Sequence, residues 1–165
     1  MKKFDKKEQI KILKIILIII WMITIFVFSG QPGTESGDTS RKFTVMLIEI
    51  ITGKSLSSND QFVEGIQLII RKIAHFTIYT IGGFLIVNYT YSTDKTQKQK
   101  ILHSIGLGAV YAITDELHQA FVPGRSGNIF DVGIDTLGVI TGVFMYVMIR
   151  YLIHKIVNKH KADVN

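Results

Sequence analysis

Residues 73–91 read IAHFTIYTIGGFLIVNYTY and contain no aspartate, glutamate, lysine or arginine. A helix needs about 20 apolar residues to cross the hydrocarbon core of a bilayer, so this stretch predicts a membrane-spanning helix. It also carries His75 near its start and follows directly on Arg71 and Lys72. The stretch therefore predicts a membrane fold and places ionisable groups at one end of a span.

Three further apolar runs accompany this one. The spans are predicted at about residues 12–30, 72–91, 101–122 and 130–149 of one domain that covers residues 1–165. A cleaved signal peptide is the alternative for the first run, because a basic start precedes its 14-residue apolar core. That core contains only bulky residues up to Ser29, which favours an uncleaved helix. The expected fold is an all-α membrane protein with a bundle of four transmembrane helices.

A shorter amphipathic segment lies between the first and second spans. Residues 29–38 are polar and predict a turn, and residues 40–52 place apolar side chains on one helical face. These side chains are Phe43, Met46, Leu47, Ile50 and Ile51. Because 13 residues are too few to span, the segment predicts a helix that lies along the external surface of the membrane that the spans cross. The alternative is a short helix packed on a protein core.

The charges favour a membrane partner over a nucleic acid. The chain has a net charge of +6, but its basic residues flank the apolar runs and form no patch with interleaved aromatic residues. Thirteen lysines and arginines flank one side of the predicted spans and six flank the other. Since cytoplasmic loops carry the excess, both termini are predicted in the cytoplasm, with the Pro32 and Pro123 loops outside the cytoplasmic membrane. The lack of cysteine excludes disulfides and thiol chemistry.

Ionisable residues from three separate runs are predicted at one depth. Asp115 and Asp135 lie inside the third and fourth runs, as His75 lies inside the second. A rise of about 1.5 Å per residue puts all three roughly 3–11 Å below the outer boundary. A charge at mid-membrane costs roughly 2.5–3.5 kcal/mol, so each needs a partner or water. Their convergence predicts a hydrated pocket that opens outward.

Several chemical roles fit this set of residues. Two histidines with carboxylates could ligate a divalent metal, but the order Asp115-Glu116-Leu117-His118 is not the His-Glu-x-x-His pattern of zinc proteases. Arginine could grip a phosphate or carboxylate through paired donors. A carboxylate with a histidine could move a proton. The set could also simply hold four helices in register. Proton-coupled transport would call for broken helices in paired positions, which the sequence does not show.

Several motifs resemble the VanZ-like family. They are Phe28-Ser29-Gly30-Gln31, Arg71-Lys72-Ile73-Ala74-His75-Phe76 with Tyr79, and the block TDELHQAFVPGR at residues 114–125 followed by Asp131 and Asp135. The last block is long and specific, whereas Gly30 stands where the family commonly has serine. The resemblance covers about residues 10–150 and implies a bacterial membrane protein. It also makes the chain a candidate for low-level resistance to glycopeptides such as teicoplanin.

The sequence thus predicts an outward-facing pocket that recognises or modifies an anionic lipid-linked or cell-envelope molecule, with the lipid bilayer and such a precursor or a glycopeptide as partners. The alternative is a non-enzymatic structural protein. Candidate catalytic residues are His75, Asp115, Glu116 and His118; candidate ligand-binding residues are Arg71, Lys72, Tyr79, Gln119, Arg125, Asp131 and Asp135. No residue is assigned as a metal ligand, and no particular cofactor is indicated.

Overall fold

The described part of the chain forms five helices, and together they confirm the all-α class. The computed structural model describes residues 5–53 and 61–164, with side chains up to His160. The helices are α1 (Lys6–Ser29), α2 (Gly33–Thr52), α3 (Gln61–Thr90), α4 (Gln97–Ala120) and α5 (Ile129–Val164). The helix start predicted at residues 57–60 lies outside the described residues.

Three of these helices are long and apolar enough to cross a membrane. They are Lys6–Ser29, Gln61–Thr90 and the part Ile129–His160 of α5. The protein is therefore a membrane protein. The third predicted span corresponds to α4, which is 24 residues long but carries Asp115, Glu116 and His118 in its last two turns. These residues lower its mean hydropathy, and α4 as a fourth span remains a prediction.

α2 begins earlier than the sequence predicted. The expected polar turn over residues 29–38 is confined to the residues between Ser29 and Gly33, and the helix runs 20 residues from Gly33. A tertiary contact fixes this start, because the Gly33 backbone N–H donates to the Pro123 carbonyl at 3.0 Å. The predicted apolar face is uncovered by protein: Phe43, Met46, Ile50 and Ile51 are all exposed. An uncovered apolar face is what a helix at a membrane interface requires.

The closest helix pair is α3 with α5. Gly138 and Gly142, the GxxxG step of the sequence, face α3, and a Cβ added to Gly142 would overlap the Thr80 carbonyl oxygen. A Cβ on Gly138 would lie 2.5 Å from the Phe76 carbonyl oxygen. Small residues let two backbones approach in this way where lipid offers no hydrophobic driving force. The approach brings His75, beside Phe76, next to Asp135, one turn before Gly138.

Aromatic residues attach α1 to the other helices. The Trp21 indole N–H donates to the Ile78 carbonyl at 2.8 Å, and its ring meets the Tyr79 ring edge-on at 5.8 Å. The Tyr111 hydroxyl donates to the Met22 carbonyl at 2.6 Å. Buried Val139 and Val143 of α5 complete this core. The core fixes Tyr79, whose hydroxyl points to the polar cluster described next.

Candidate functional site

The candidate site lies where α1 turns into α2 and α4 turns into α5. Both turns occupy the same end of the bundle, because Gly33 donates to Pro123 across them. We call this end the site end. The opposite end, where Lys14 of α1 meets Ser92 after α3, is called the far end.

Three predicted residues meet at the centre of the site. His75 of α3, Asp115 of α4 and Asp135 of α5 place one ligand-type atom each within 4.8 Å of one another. Asp135 is 0% exposed and Asp115 is 4% exposed. The His75 Nδ1 atom lies 3.5 Å from Asp135 Oδ1. These three residues, here called the triad, form the only group of this kind among the described residues and could hold a metal ion.

A hydrogen-bond chain orients Asp115 of the triad. The Tyr79 hydroxyl and the Gln119 amide both donate to Asp115 Oδ2 at 3.1 Å. Arg125 Nη1 in turn donates to Gln119 Oε1 at 3.1 Å, and Arg125 Nη2 donates to the Phe28 carbonyl at 3.2 Å. Because both donors use Oδ2, the buried Oδ1 atom has no hydrogen-bond partner.

Glu116 has a structural contact that the sequence did not predict. Its Oε1 atom accepts a hydrogen bond from the Asn128 backbone N–H at 2.5 Å. Asn128 also accepts the Phe130 backbone N–H on its side-chain oxygen at 3.0 Å, which caps the start of α5. The other carboxylate oxygen of Glu116 is buried without a partner. Glu116 therefore fixes the turn with one oxygen and leaves the second free.

A polar cavity of about 320 Å³ opens beside the triad. It is lined by Gly33, Leu68, Arg71, Lys72, His75, Glu116, Gln119, Gly124, Arg125, Ser126, Asn128, Asp131, Ile134 and Asp135. Lys72 and Asp131 form an ion pair at its rim, with side chains 46% and 33% exposed. The cavity thus reaches the surface at that rim.

An apolar cavity of about 510 Å³ adjoins the polar one. It lies between α1, α2 and α3, and its lining includes Ile25, Phe28, Phe43, Ile70, Ala74, Ile78 and Tyr79. Arg71, His75 and Arg125 line both cavities. Sequence reasoning missed this cavity, because its apolar walls come from three helices and look like ordinary bundle packing. Its polar wall residues Ser29 and Gln31 belong to the first family-like motif, and Arg71 and His75 belong to the second.

His118 is the predicted site residue that stands apart. It lines neither of these two cavities, and its ring stacks on Phe26 of α1 at 4.3 Å with an interplanar angle of 10°. His118 lies three residues after Asp115 on α4, and its ring lies on the side of α4 that contacts α1. The remaining predicted residues line a cavity or bond directly to a residue that does.

These observations define an all-α membrane protein with a polar cavity and an apolar cavity at one end of its bundle. The chain belongs to the VanZ/LLP1 family, whose model matches residues 14–150 and so includes every residue of the site. The match confirms the resemblance found in the sequence motifs. Comparison with curated proteins and with solved structures finds no match.

Proposed function

We propose that the site end binds an anionic, lipid-linked or envelope-derived amphiphile from the outer face of the cytoplasmic membrane. The polar cavity would hold the anionic group and the apolar cavity the hydrocarbon chain. The observation that carries this proposal is the shared wall: Arg71, His75 and Arg125 line both cavities. A ligand that occupies both must be charged at one end and apolar at the other.

The two arginines support an anionic ligand. The Arg71 side chain makes no hydrogen bond and no ion pair with any other described residue, although it lines both cavities. Partial burial lowers the pKa of the Arg125 guanidinium, and the positive charge of Arg71 lowers it further. Arginine nevertheless stays charged at neutral pH, so the two like charges repel each other. A phosphate or carboxylate between them would relieve that repulsion through paired hydrogen bonds.

Any chemistry on the bound molecule would fall to groups that face the polar cavity. His75 and Glu116 line it, and an imidazole with a free carboxylate oxygen can take up and release a proton. Asp115 lies behind them and is held by Tyr79. A contribution to glycopeptide resistance is proposed only on the basis of family membership.

The alternative is a network that only packs helices. The ion pairs Lys72–Asp131 and His75–Asp135 favour it, because each joins α3 to α5. The unpartnered atoms oppose it. A packing network satisfies its buried polar groups, yet Asp135 lacks a hydrogen bond on both oxygens and Asp115 and Glu116 lack one on a single oxygen each.

The proposal is tested with farnesyl phosphate and the full-length protein in nanodiscs of zwitterionic lipid, in the presence of EDTA. We expect saturable binding, weaker binding of farnesol and of inorganic phosphate, and a loss of roughly tenfold or more for Arg71→Gln and Arg125→Gln. Each charged hydrogen bond contributes about 1.5–3 kcal/mol, which corresponds to that loss. Lys42→Gln removes an exposed cation of α2 outside both cavities and should bind like the parent.

Binding of the ligand's hydrocarbon chain in the apolar cavity is tested separately. Ala74→Phe would fill the apolar cavity. It should weaken the binding of farnesyl phosphate but not the binding of a short phosphate ester such as ethyl phosphate. Thr77→Phe adds the same ring to an exposed α3 position outside that lining and serves as the matched control. Equal binding of farnesol and farnesyl phosphate, or unchanged binding in both arginine variants, would contradict the proposal.

A further inference from the structure

The triad carries more uncompensated negative charge than its surroundings explain. Asp135 is fully buried, and neither of its oxygens accepts a hydrogen bond. Asp115 Oδ1 is also buried without a donor. Burying an ionised carboxylate without a partner is expensive, and two such groups close together repel each other as well. A positive charge between them, carried by a cation or by a proton on one carboxylate, would remove that cost.

The cations of the site do not supply that charge. Lys72 pairs with Asp131, and Arg125 donates to Gln119 and to the Phe28 carbonyl. A protonated His75 would compensate at most one carboxylate, and at 3.5 Å its contact with Asp135 is at the limit of a hydrogen bond. The second carboxylate would remain without a counter-charge.

We propose that His75, Asp115 and Asp135 bind a divalent metal ion. One imidazole nitrogen and two carboxylate oxygens suit first-row divalent ions such as Mn²⁺ or Zn²⁺, which accept both donor types. Ligand atoms bound to one such ion at about 2.0–2.2 Å with tetrahedral angles lie about 3.3–3.6 Å apart. The atoms of the triad lie within 4.8 Å of one another, so side-chain movements on the order of 1 Å would complete the site. Each ligand comes from a different helix, so no local sequence motif marks the metal site.

The neighbouring residues fit a metal site. Ligating carboxylates are commonly held by hydrogen bonds on the oxygen that does not bind the ion. Tyr79 and Gln119 hold Asp115 in that way, both on Oδ2, and leave Oδ1 free. Three protein ligands also leave a coordination position for water or a ligand atom, as in catalytic metal sites. His75 and Asp135 line the polar cavity, so that position is accessible from it.

The ion would also change the charge of the cavity. Four carboxylates and three cations surround the site, so with neutral histidine its formal charge is −1. They are Asp115, Glu116, Asp131 and Asp135 against Arg71, Lys72 and Arg125. A bound divalent ion makes the charge +1, which favours an anion in the polar cavity. The metal site itself does not depend on the proposed function.

The test uses the full-length protein in detergent, stripped with EDTA and dialysed. Mn²⁺ and Zn²⁺ are added separately, and bound ion is measured by elemental analysis after desalting and by isothermal titration. We expect one ion per chain and a rise in melting temperature that EDTA reverses. Asp135→Asn, Asp115→Asn and His75→Gln should bind at least about tenfold more weakly, and Tyr79→Phe roughly tenfold more weakly through the lost hydrogen bond.

Glu64→Gln removes an exposed carboxylate of α3 and should bind like the parent. The measurement on the parent protein is decisive even if a variant does not fold. If the parent binds no stoichiometric ion, the proposal is overturned. Binding that is equal in the parent and in all three triad variants overturns it as well. The lipid titration is run in EDTA, so its failure and the failure of the metal site are distinguishable.

Discussion

The site end and the far end of the bundle both bury polar groups, but they satisfy them differently. At the far end, the Lys14 ammonium donates to the Asn88 carbonyl at 2.9 Å and to the Ser92 hydroxyl at 2.7 Å. Thr90 and Ser104 are buried there and bond to each other at 2.9 Å. Arg150 and Lys100 lie over the Tyr91 ring at 4.9 and 5.2 Å. The polar groups of the far end have protein partners.

The site end leaves several buried polar atoms without a hydrogen bond. Among the described residues, the buried side-chain atoms without a hydrogen-bond partner belong to Arg41 and to six predicted site residues: His75, Asp115, Glu116, His118, Arg125 and Asp135. None belongs to the far end. Polar groups that only pack helices have hydrogen-bond partners within the protein. Polar groups that bind a ligand or an ion keep atoms without such a partner when the site is empty. This difference is what we expect if the far end is a packing network and the site end binds a ligand or an ion, as proposed.

The topology is the prediction with the largest expected effect, because labelling is all or none. The chain has no cysteine, so single cysteines at Ser36, Ser126, Thr96 and Asn158 can be introduced without a background signal. The excess of lysine and arginine predicts that an impermeant thiol reagent labels intact cells at Ser36 and Ser126 and not at the other two positions. Labelling at Thr96 or Asn158, but not at Ser36, would reverse the orientation and put the site end in the cytoplasm.

The helix interface shared by both ends is the next test. Gly142→Leu would force α5 away from the Thr80 carbonyl and should strongly reduce the amount of folded protein, since overpacking costs about 1–3 kcal/mol or more. Gly106→Leu adds the same side chain to an exposed α4 position with nothing within 4 Å, so it should accumulate and melt like the parent. Fluorescence-detected size exclusion and melting in detergent measure both. If Gly142→Leu accumulates and melts like Gly106→Leu, the close approach of α3 and α5 does not hold the triad in place.

Much of the fold could be predicted because hydrophobic runs of span length allow few alternatives. Each predicted span overlaps one helix and extends at most two residues beyond its end. The shared depth of His75, Asp115 and Asp135 indicated that they would lie together. The start of α2 was wrong because a contact between Gly33 and Pro123 fixes it, and no local pattern encodes that contact. α5 also continues to Val164, well past the predicted end at residue 149.

The finer details of the site depend on side-chain geometry that the sequence does not contain. Asp115 and Glu116 are adjacent in sequence, yet Asp115 meets Tyr79 and Gln119 while Glu116 holds the Asn128 backbone. His118 was grouped with Asp115 by helical spacing, but its ring packs on Phe26. Spacing gives the face of a helix to within a wide angle, and it does not say which neighbour a side chain contacts. The unpartnered oxygens could be found only from the structure.

The most direct test of the difference between the two ends compares Asp135→Asn with Ser104→Ala in melting experiments on the full-length protein in EDTA. Asparagine keeps the shape of aspartate and removes a buried charge that has no hydrogen bond and only a 3.5 Å ionic contact with His75, so Asp135→Asn should melt at or above the parent temperature. Ser104→Ala removes satisfied hydrogen bonds to Thr90 and to the Lys100 carbonyl and should cost about 1 kcal/mol. If Asp135→Asn instead loses about 3–5 kcal/mol, as when one partner of a buried ion pair is removed, the cluster is a packing network and the account is contradicted.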